Sequence, residues 1–255
     1  MIKKLKQSIN DMIKKPFLSS EGHCPICKND TNFIAKESWL RDHFLCSHCG
    51  SIPRERALAV VLEQFFPNWK ELTIHESSPV HRGVSVILSE ECVNYIPSQF
   101  IPSATFGSVI NGARNENLEE LTFSNESIDL HISQDVLEHI FNPAKVFKEV
   151  ARTLKPGGAH IFTLPLVNKE KPSSIRATID QDGVIEYLKP ASYHSNPVSN
   201  EGSLVTFDWG FDITQHIYDA SGLFTQIIYI EDLSRGIKAE YIEVLVTMKP
   251  LSKGF

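Results

Sequence analysis

No run in the 255-residue chain approaches the ~20 consecutive apolar residues that a membrane-spanning helix requires, so integral membrane association is not expected. Its opening stretch, MIKKLKQSINDMIKKPF, is basic but holds no continuous apolar core, so no secretory signal is expected and the cytoplasm is the anticipated compartment. Disorder is excluded as the main state by a composition of 42% hydrophobic and 22% charged residues, ordinary for a globular chain. Positive charge is scarce where a nucleic-acid binder would need it. Residues 71–255 carry fourteen Lys and Arg against twenty-four Asp and Glu, whereas residues 1–70 carry eleven against seven. The larger part would repel a phosphate backbone, so nucleic acid is not an expected partner.

Cysteine is also scarce, and its placement is uneven. Cys24 and Cys27 form one CxxC pair, Cys46 and Cys49 a second, and Cys92 stands alone in an apolar and acidic stretch as a small buried hydrophobe. Two such pairs at this spacing can arrange four thiolates around one tetrahedral Zn²⁺, leaving no open position for catalysis. Disulfides or a redox dithiol are the competing reading. A reducing compartment and the lack of a surrounding βαβ pattern favour structural zinc. About thirty residues cannot bury a sufficient core alone, so metal would supply the missing folding energy.

Flanking this zinc ribbon, placed at residues 21–52, two helices are expected. Ile2, Leu5, Ile9, Met12 and Ile13 recur at helical spacing among lysines, which predicts an amphipathic helix over residues 1–20. It packs on the ribbon or makes weak membrane-surface contact. Pro53 opens a second, connecting helix within residues 53–70. From residue 71 to 250, short β-rich runs alternate with helical ones, as in Leu72–Glu76, Gly83–Glu91, Ile128–Ser133, Asn142–Leu154 and Ala159–Pro165. That alternation predicts an α/β domain with a mostly parallel, doubly wound sheet, whose ligands bind at the carboxyl ends of the strands.

The block ELTFSNESIDLHISQDVLEHI (residues 120–140), followed by Pro143 and Leu154-Lys-Pro-Gly-Gly158, resembles the middle of class I S-adenosylmethionine-dependent methyltransferases of the type 11 kind. Similar proteins carry an N-terminal zinc ribbon, a His-Glu-Ser-Ser-Pro turn, here His75–Pro79, and a Tyr-His-x-Asn-Pro segment, here Tyr193–Pro197. The resemblance implies a Rossmann-like, seven-stranded sheet with an antiparallel last strand, and S-adenosylmethionine as cofactor. It implies cofactor contacts from Glu76, Ser77, Ser78 and Gly83 in the first turn, Ser98 and Gln99 after the second strand, Asn117 and Leu118 at the adenine, and Gln134 after the fourth strand. The first turn departs from the family pattern, since only Gly83 survives of its glycines and no carboxylate follows the second strand. Glu76 is read either as a cofactor contact or as a cap on its own turn. His139 is read either as a base or as a structural histidine.

An insertion at about residues 168–209 mixes Tyr193, His194, Asn196, Asp208 and Trp209, which suits a substrate pocket and also suits a plain surface loop. His194, His139 and Asp135, in that order, are the candidate bases for a hydroxyl acceptor. The reading is methyl transfer to a small polar acceptor, with a sugar or nucleotide-sugar hydroxyl suggested by the resemblance. The alternative is a non-catalytic methyltransferase-like scaffold whose ribbon docks a partner.

Overall fold

The computed structural model describes residues 15–194 and 202–251. Of the helix expected over residues 1–20, positions 1–14 lie outside the described residues, and Leu18–Ser20 open a strand instead. That strand, β1 (Leu18–His23), pairs antiparallel with β2 (Asp30–Ala35), and β2 pairs with β3 (Leu45–Cys46); the four-residue helix α1 (Leu40–His43) lies between them. The connecting helix α2 (Pro53–Phe65) has proline in its first turn, and Glu55 accepts a hydrogen bond from the Ile52 N–H at 3.1 Å.

The main sheet is formed by β4 (Thr73–Ser77), β5 (Asn94–Gln99), β6 (Val109–Ile110), β7 (Ala113–Asn115), β8 (Ile128–Gln134) and β9 (Leu154–Thr163), joined at its far edge by two later strands. Between β9 and that edge, the insertion folds into short paired strands rather than a plain loop. These are β10 (Ser174–Ile175), β11 (Ala177–Ile179), β12 (Ile185–Tyr187), β13 (Tyr193–His194), β14 (Ser203–Leu204) and β15 (Phe207–Asp208). The last strands are β16 (Phe224–Ile228) and β17 (Val244–Met248). The order is β16-β17-β9-β8-β4-β5-β7-β6, with β9, β8, β4, β5 and β7 parallel and β17 antiparallel to both neighbours. Eight strands replace the expected seven because the two-residue β6 folds back on β7 as an edge hairpin. The Rossmann-like doubly wound architecture otherwise stands as expected.

Helices α3 (Gly83–Glu91), α4 (Pro143–Thr153) and α5 (Ile213–Ser221) complete the domain. The Asn142 side chain caps α4 by accepting from the Lys145 N–H, and Val146, Phe147 and Val150 give the helix its buried face. Chain order reverses across β4: the strands first run outward through β5 to β7, then β8 returns to the other side of β4. The crevice at the carboxyl ends of β4 and β8 is therefore the switch point where such sheets bind ligands.

The ribbon does not stand apart from this domain. Phe33, Phe44 and Cys46 share one hydrophobic core with Leu58, Ile74, Leu130, Ile161 and Ile237. Fully buried Arg56 fastens the join. Its guanidinium lies 4.7 Å from the Phe33 ring centre and donates to the carbonyls of Gly236 (2.6 Å), Phe44 (2.7 Å) and Ser51.

Candidate active site

The two CxxC pairs adopt the same local structure. The N–H of Cys24 donates to Asn29 O and that of Cys46 to Ser51 O, while the N–H of Lys28 and of Gly50 return to Cys24 O and Cys46 O. Lys28 and Gly50 both occupy the left-handed region, at φ 56° and 69°. This duplicated knuckle brings the four free thiols together, with Cys24 Sγ 3.8 Å from Cys49 Sγ and Cys27 Sγ 3.9 Å from Cys46 Sγ. Zn–S bonds of about 2.3 Å set tetrahedral thiolates about 3.8 Å apart, so the cluster has the dimensions of a four-cysteine zinc site.

At the switch point, Glu76 is buried in β4 and already well partnered. Its carboxylate accepts from Ser85 Oγ at 2.6 Å, Tyr95 Oη at 2.7 Å and Gln134 Nε2 at 3.1 Å. Burial raises its pKa, against the opposing pull of those three donors. The side chain thus ties α3, β5 and β8 together beneath the first turn. Ser78 takes the left-handed conformation, φ 53°, that a glycine would adopt without strain, and its N–H donates to Ser98 O at 2.8 Å. Gly83 has a structural role in the fold itself. A Cβ at its φ of 60° would lie 2.5 Å from Glu55 Cδ, so the glycine makes room for the buried Glu55. Glu55 in turn pairs with Arg82 Nε at 2.7 Å, which pins the first turn to α2.

Other expected cofactor contacts divide between the crevice and the fold. Ser98 Oγ bonds His75 Nε2 at 2.7 Å, so its hydroxyl is committed inside the sheet and not to a ribose. Gln99 ends β5 at the crevice edge. Asn117 Oδ1 accepts the Glu119 N–H at 3.0 Å, forming its own turn, and Leu118 packs against the α4 core and lines a small cavity with Ser77. Two buried polar atoms at the strand ends, Ser77 Oγ and Gln134 Oε1, have no protein partner. Ser77 Oγ faces the small cavity lined by His75, His131 and His160, whereas Gln134 Oε1, on the opposite face beside Glu76, is a buried polar atom that fits a polar cofactor at the switch point.

Asp135 is anchored too firmly to serve as a base. Its carboxylate accepts from Arg41 Nη2 at 2.6 Å, Arg54 Nε at 2.9 Å and Thr163 Oγ1 at 3.2 Å. Burial acts to raise its pKa, but the two guanidiniums outweigh this and hold it at about 2. Arg41 comes from the ribbon and Arg54 from α2, so the N-terminal module reaches into the crevice. The charged run Pro53-Arg-Glu-Arg is the sequence signal for Arg54 and Glu55, whereas Arg41 has none.

Beyond Asp135 the insertion faces the turn after β8. His139 Nδ1 donates to Leu204 O at 2.8 Å, which leaves Nε2 as the lone-pair nitrogen. Its ring lies edge-on to that of His194, with centres 5.3 Å apart. Between them is Glu138, 1% exposed, with no hydrogen bond to either carboxylate oxygen. Glu138 raises the pKa of His194. Glu138 lies inside the Leu-Glu-His block that carried the resemblance, yet only its histidine was singled out. Tyr193 is exposed on β13 and Asn196 lies outside the described residues. Asp208 is tied by Arg176 at 3.0 Å and Lys189 at 2.8 Å. Trp209 is a core residue rather than a pocket wall: it is fully buried, stacks on Phe207, and donates from Nε1 to Leu137 O at 3.2 Å.

A family model described as a methyltransferase domain matches residues 86–162. Over 59 residues, 23% of this chain and 21% of the relative, the sequence is 41% identical to the sarcosine/dimethylglycine N-methyltransferase of Aphanothece halophytica. Over 50 residues, it is 44% identical to the dimethylglycine N-methyltransferase of Parasynechococcus marenigrum, covering 20% of this chain and 18% of that one. The chain thus spans about a fifth of the length of the curated relatives it matches. Among solved structures, an S-adenosylmethionine-dependent methyltransferase from Mesorhizobium loti aligns at TM-score 0.46 and 16% identity, covering 76% of this chain and 98% of that one. A chain from the complex of the Haloferax volcanii Trm112 methyltransferase activator with a methyltransferase aligns at TM-score 0.49 and 15% identity, over 79% and 92%. The sheet has the Rossmann-like methyltransferase fold, and the matched segment covers less than a third of the chain. The match lies on the part of the domain that contains β8 and the turn carrying Gln134, Asp135, Glu138 and His139.

Proposed function

We propose that the chain is an S-adenosylmethionine-dependent methyltransferase acting on a small polar acceptor, with one structural zinc in its four-cysteine cluster. The observation that carries this reading is the coincidence of the matched segment with the switch-point crevice, where Gln134 Oε1 is buried without a protein partner. Bound cofactor would supply a sulfonium methyl group for in-line displacement by the acceptor. The protein's part is largely to align the two and to exclude water. Ser77, Ser78, Gln99, Asn117, Leu118 and Gln134 line the cofactor end, while Glu76 fixes the strand ends beneath it. His194 and His139, on Glu138, mark the acceptor end, with Tyr193 beside His194 on β13.

A sugar or nucleotide-sugar hydroxyl remains the proposed acceptor, and the short matches to enzymes named for sarcosine and dimethylglycine favour an amine as the second reading. Transfer of radiolabelled methyl from S-adenosylmethionine to sugar nucleotides and to N-methylated glycines discriminates the two. His194→Ala is expected to lower turnover at least tenfold, the range of a lost acid–base or acceptor-orienting group, while leaving cofactor Kd unchanged. A variant that instead loses cofactor affinity at normal turnover would place the cofactor at the wrong end of the crevice. Failure of every acceptor class, with cofactor bound, would favour the scaffold reading.

A further inference from the structure

Glu138 is an unusual buried carboxylate. A charge removed from water is normally paired or hydrogen-bonded, yet neither oxygen has a bond within the protein. Two imidazole nitrogens lie within ion-pair reach of Oε1, His194 Nδ1 at 3.6 Å and His139 Nε2 at 3.8 Å, too far for hydrogen bonds, and the charge of Arg41 is also felt there. Atoms sharing one ion at bonds of about 2.1 Å stand roughly 3–3.5 Å apart, so each imidazole nitrogen is within a few tenths of an ångström of that separation from Oε1. The ligand atoms of all three residues already lie within 4.8 Å of one another.

The surroundings suit a metal in two further ways. Leu204 O takes the Nδ1–H of His139, which fixes the ring and presents Nε2 as a free lone pair, the usual outer support of a ligating histidine. Glu138 is held by its backbone, whose carbonyl accepts the Thr206 N–H at 2.7 Å, so the turn and the insertion are locked to each other across the cluster.

We propose that Glu138, His139 and His194 bind one divalent first-row transition-metal ion, distinct from the ion of the cysteine cluster. Two histidines and one carboxylate leave coordination positions open. The metal would hold the acceptor through an oxygen or nitrogen lone pair beside the cofactor. That use rests on the methyl-transfer reading, whereas the binding itself does not.

Mn²⁺ is a suitable probe, because soft thiolates select zinc over manganese and the ribbon would not compete for it. The full chain, adjusted to one zinc per molecule, is titrated with MnCl₂ without cofactor, and free Mn²⁺ is followed by electron paramagnetic resonance. One Mn²⁺ bound per chain is expected. Glu138→Gln should weaken it by roughly tenfold or more, and so should His194→Ala, whose exposed site makes misfolding no explanation. No depletion of Mn²⁺ in the wild type, or equal binding by both variants, would overturn the proposal. Calorimetry with S-adenosylmethionine alone separates that outcome from failure of the methyltransferase reading.

Discussion

Cys46→Ser is expected to release the zinc and to melt the ribbon and the sheet domain together rather than the ribbon alone. Cys46 belongs to the same core as Ile74, Leu130 and Ile161, and Arg56 bonds ribbon and domain carbonyls from a fully buried position. Structural zinc contributes about 10–16 kcal/mol in zinc-finger peptides, comparable to the whole stability of about 5–15 kcal/mol of a typical domain. Loss of the metal should also release Arg41, and with it one of the two guanidiniums holding Asp135. Calorimetric scanning should show one transition in the zinc-loaded protein and a large fall in Tm, or no cooperative transition, in the variant. Two separate transitions, with the sheet domain unaffected, would contradict this coupling, and absence of zinc from chelator-free preparations would contradict the ribbon itself.

Acid should destabilise the protein well above the range of carboxylate titration, because three histidines are buried in the sheet. Ser98, His75, His131 and Thr153 form a hydrogen-bonded row at 2.7, 2.8 and 2.8 Å. The order of protons in this row follows from its end. Thr153 Oγ donates to Glu149 O and therefore accepts from His131 Nε2–H; His131 Nδ1 then accepts from His75 Nδ1–H, and His75 Nε2 accepts from Ser98. Every nitrogen is satisfied only while both rings are neutral. Burial lowers His75 and His160 to about 3 and His131 well below its ordinary value.

A folded pKa depressed below the unfolded value of about 6.5 means that the unfolded chain takes up protons first. Stability is therefore full above pH 6.5 and is lost as pH falls from there toward 3. One unit below 6.5, each ring costs about 1.4 kcal/mol. His194 and Glu76, whose pKa values are raised, act in the opposite direction. The net fall between pH 7.5 and 5.5 is expected to be about 2–4 kcal/mol, read from urea midpoints. His131→Gln, which does not titrate, should flatten that slope by about a third. An unchanged midpoint across this range would show that these rings are not held neutral in the fold.

Much of this architecture was legible in the sequence because periodicity and punctuation are local. The α3 span from Gly83 to Glu91 and the α4 signals at Asn142 and Pro143 needed only neighbouring residues. The grouping of the four cysteines was legible from spacing alone. What could not be read depends on partners distant in sequence. Nothing near Arg41 announces a salt bridge to Asp135, and nothing near Gly83 announces Glu55. Trp209 misled because a polar neighbourhood in sequence became the α4–α5 core in space. Ser98 misled through strand parity, since its side chain points to the histidine row rather than to the crevice.

The central claim is that the crevice at the ends of β4 and β8 binds S-adenosylmethionine despite its glycine-poor first turn. Isothermal titration of the zinc-loaded full chain tests it most directly. Saturable binding of one S-adenosylmethionine per chain is expected, with S-adenosylhomocysteine competing for the same site. No heat of binding from either compound, in protein shown to be folded and zinc-replete, would contradict it.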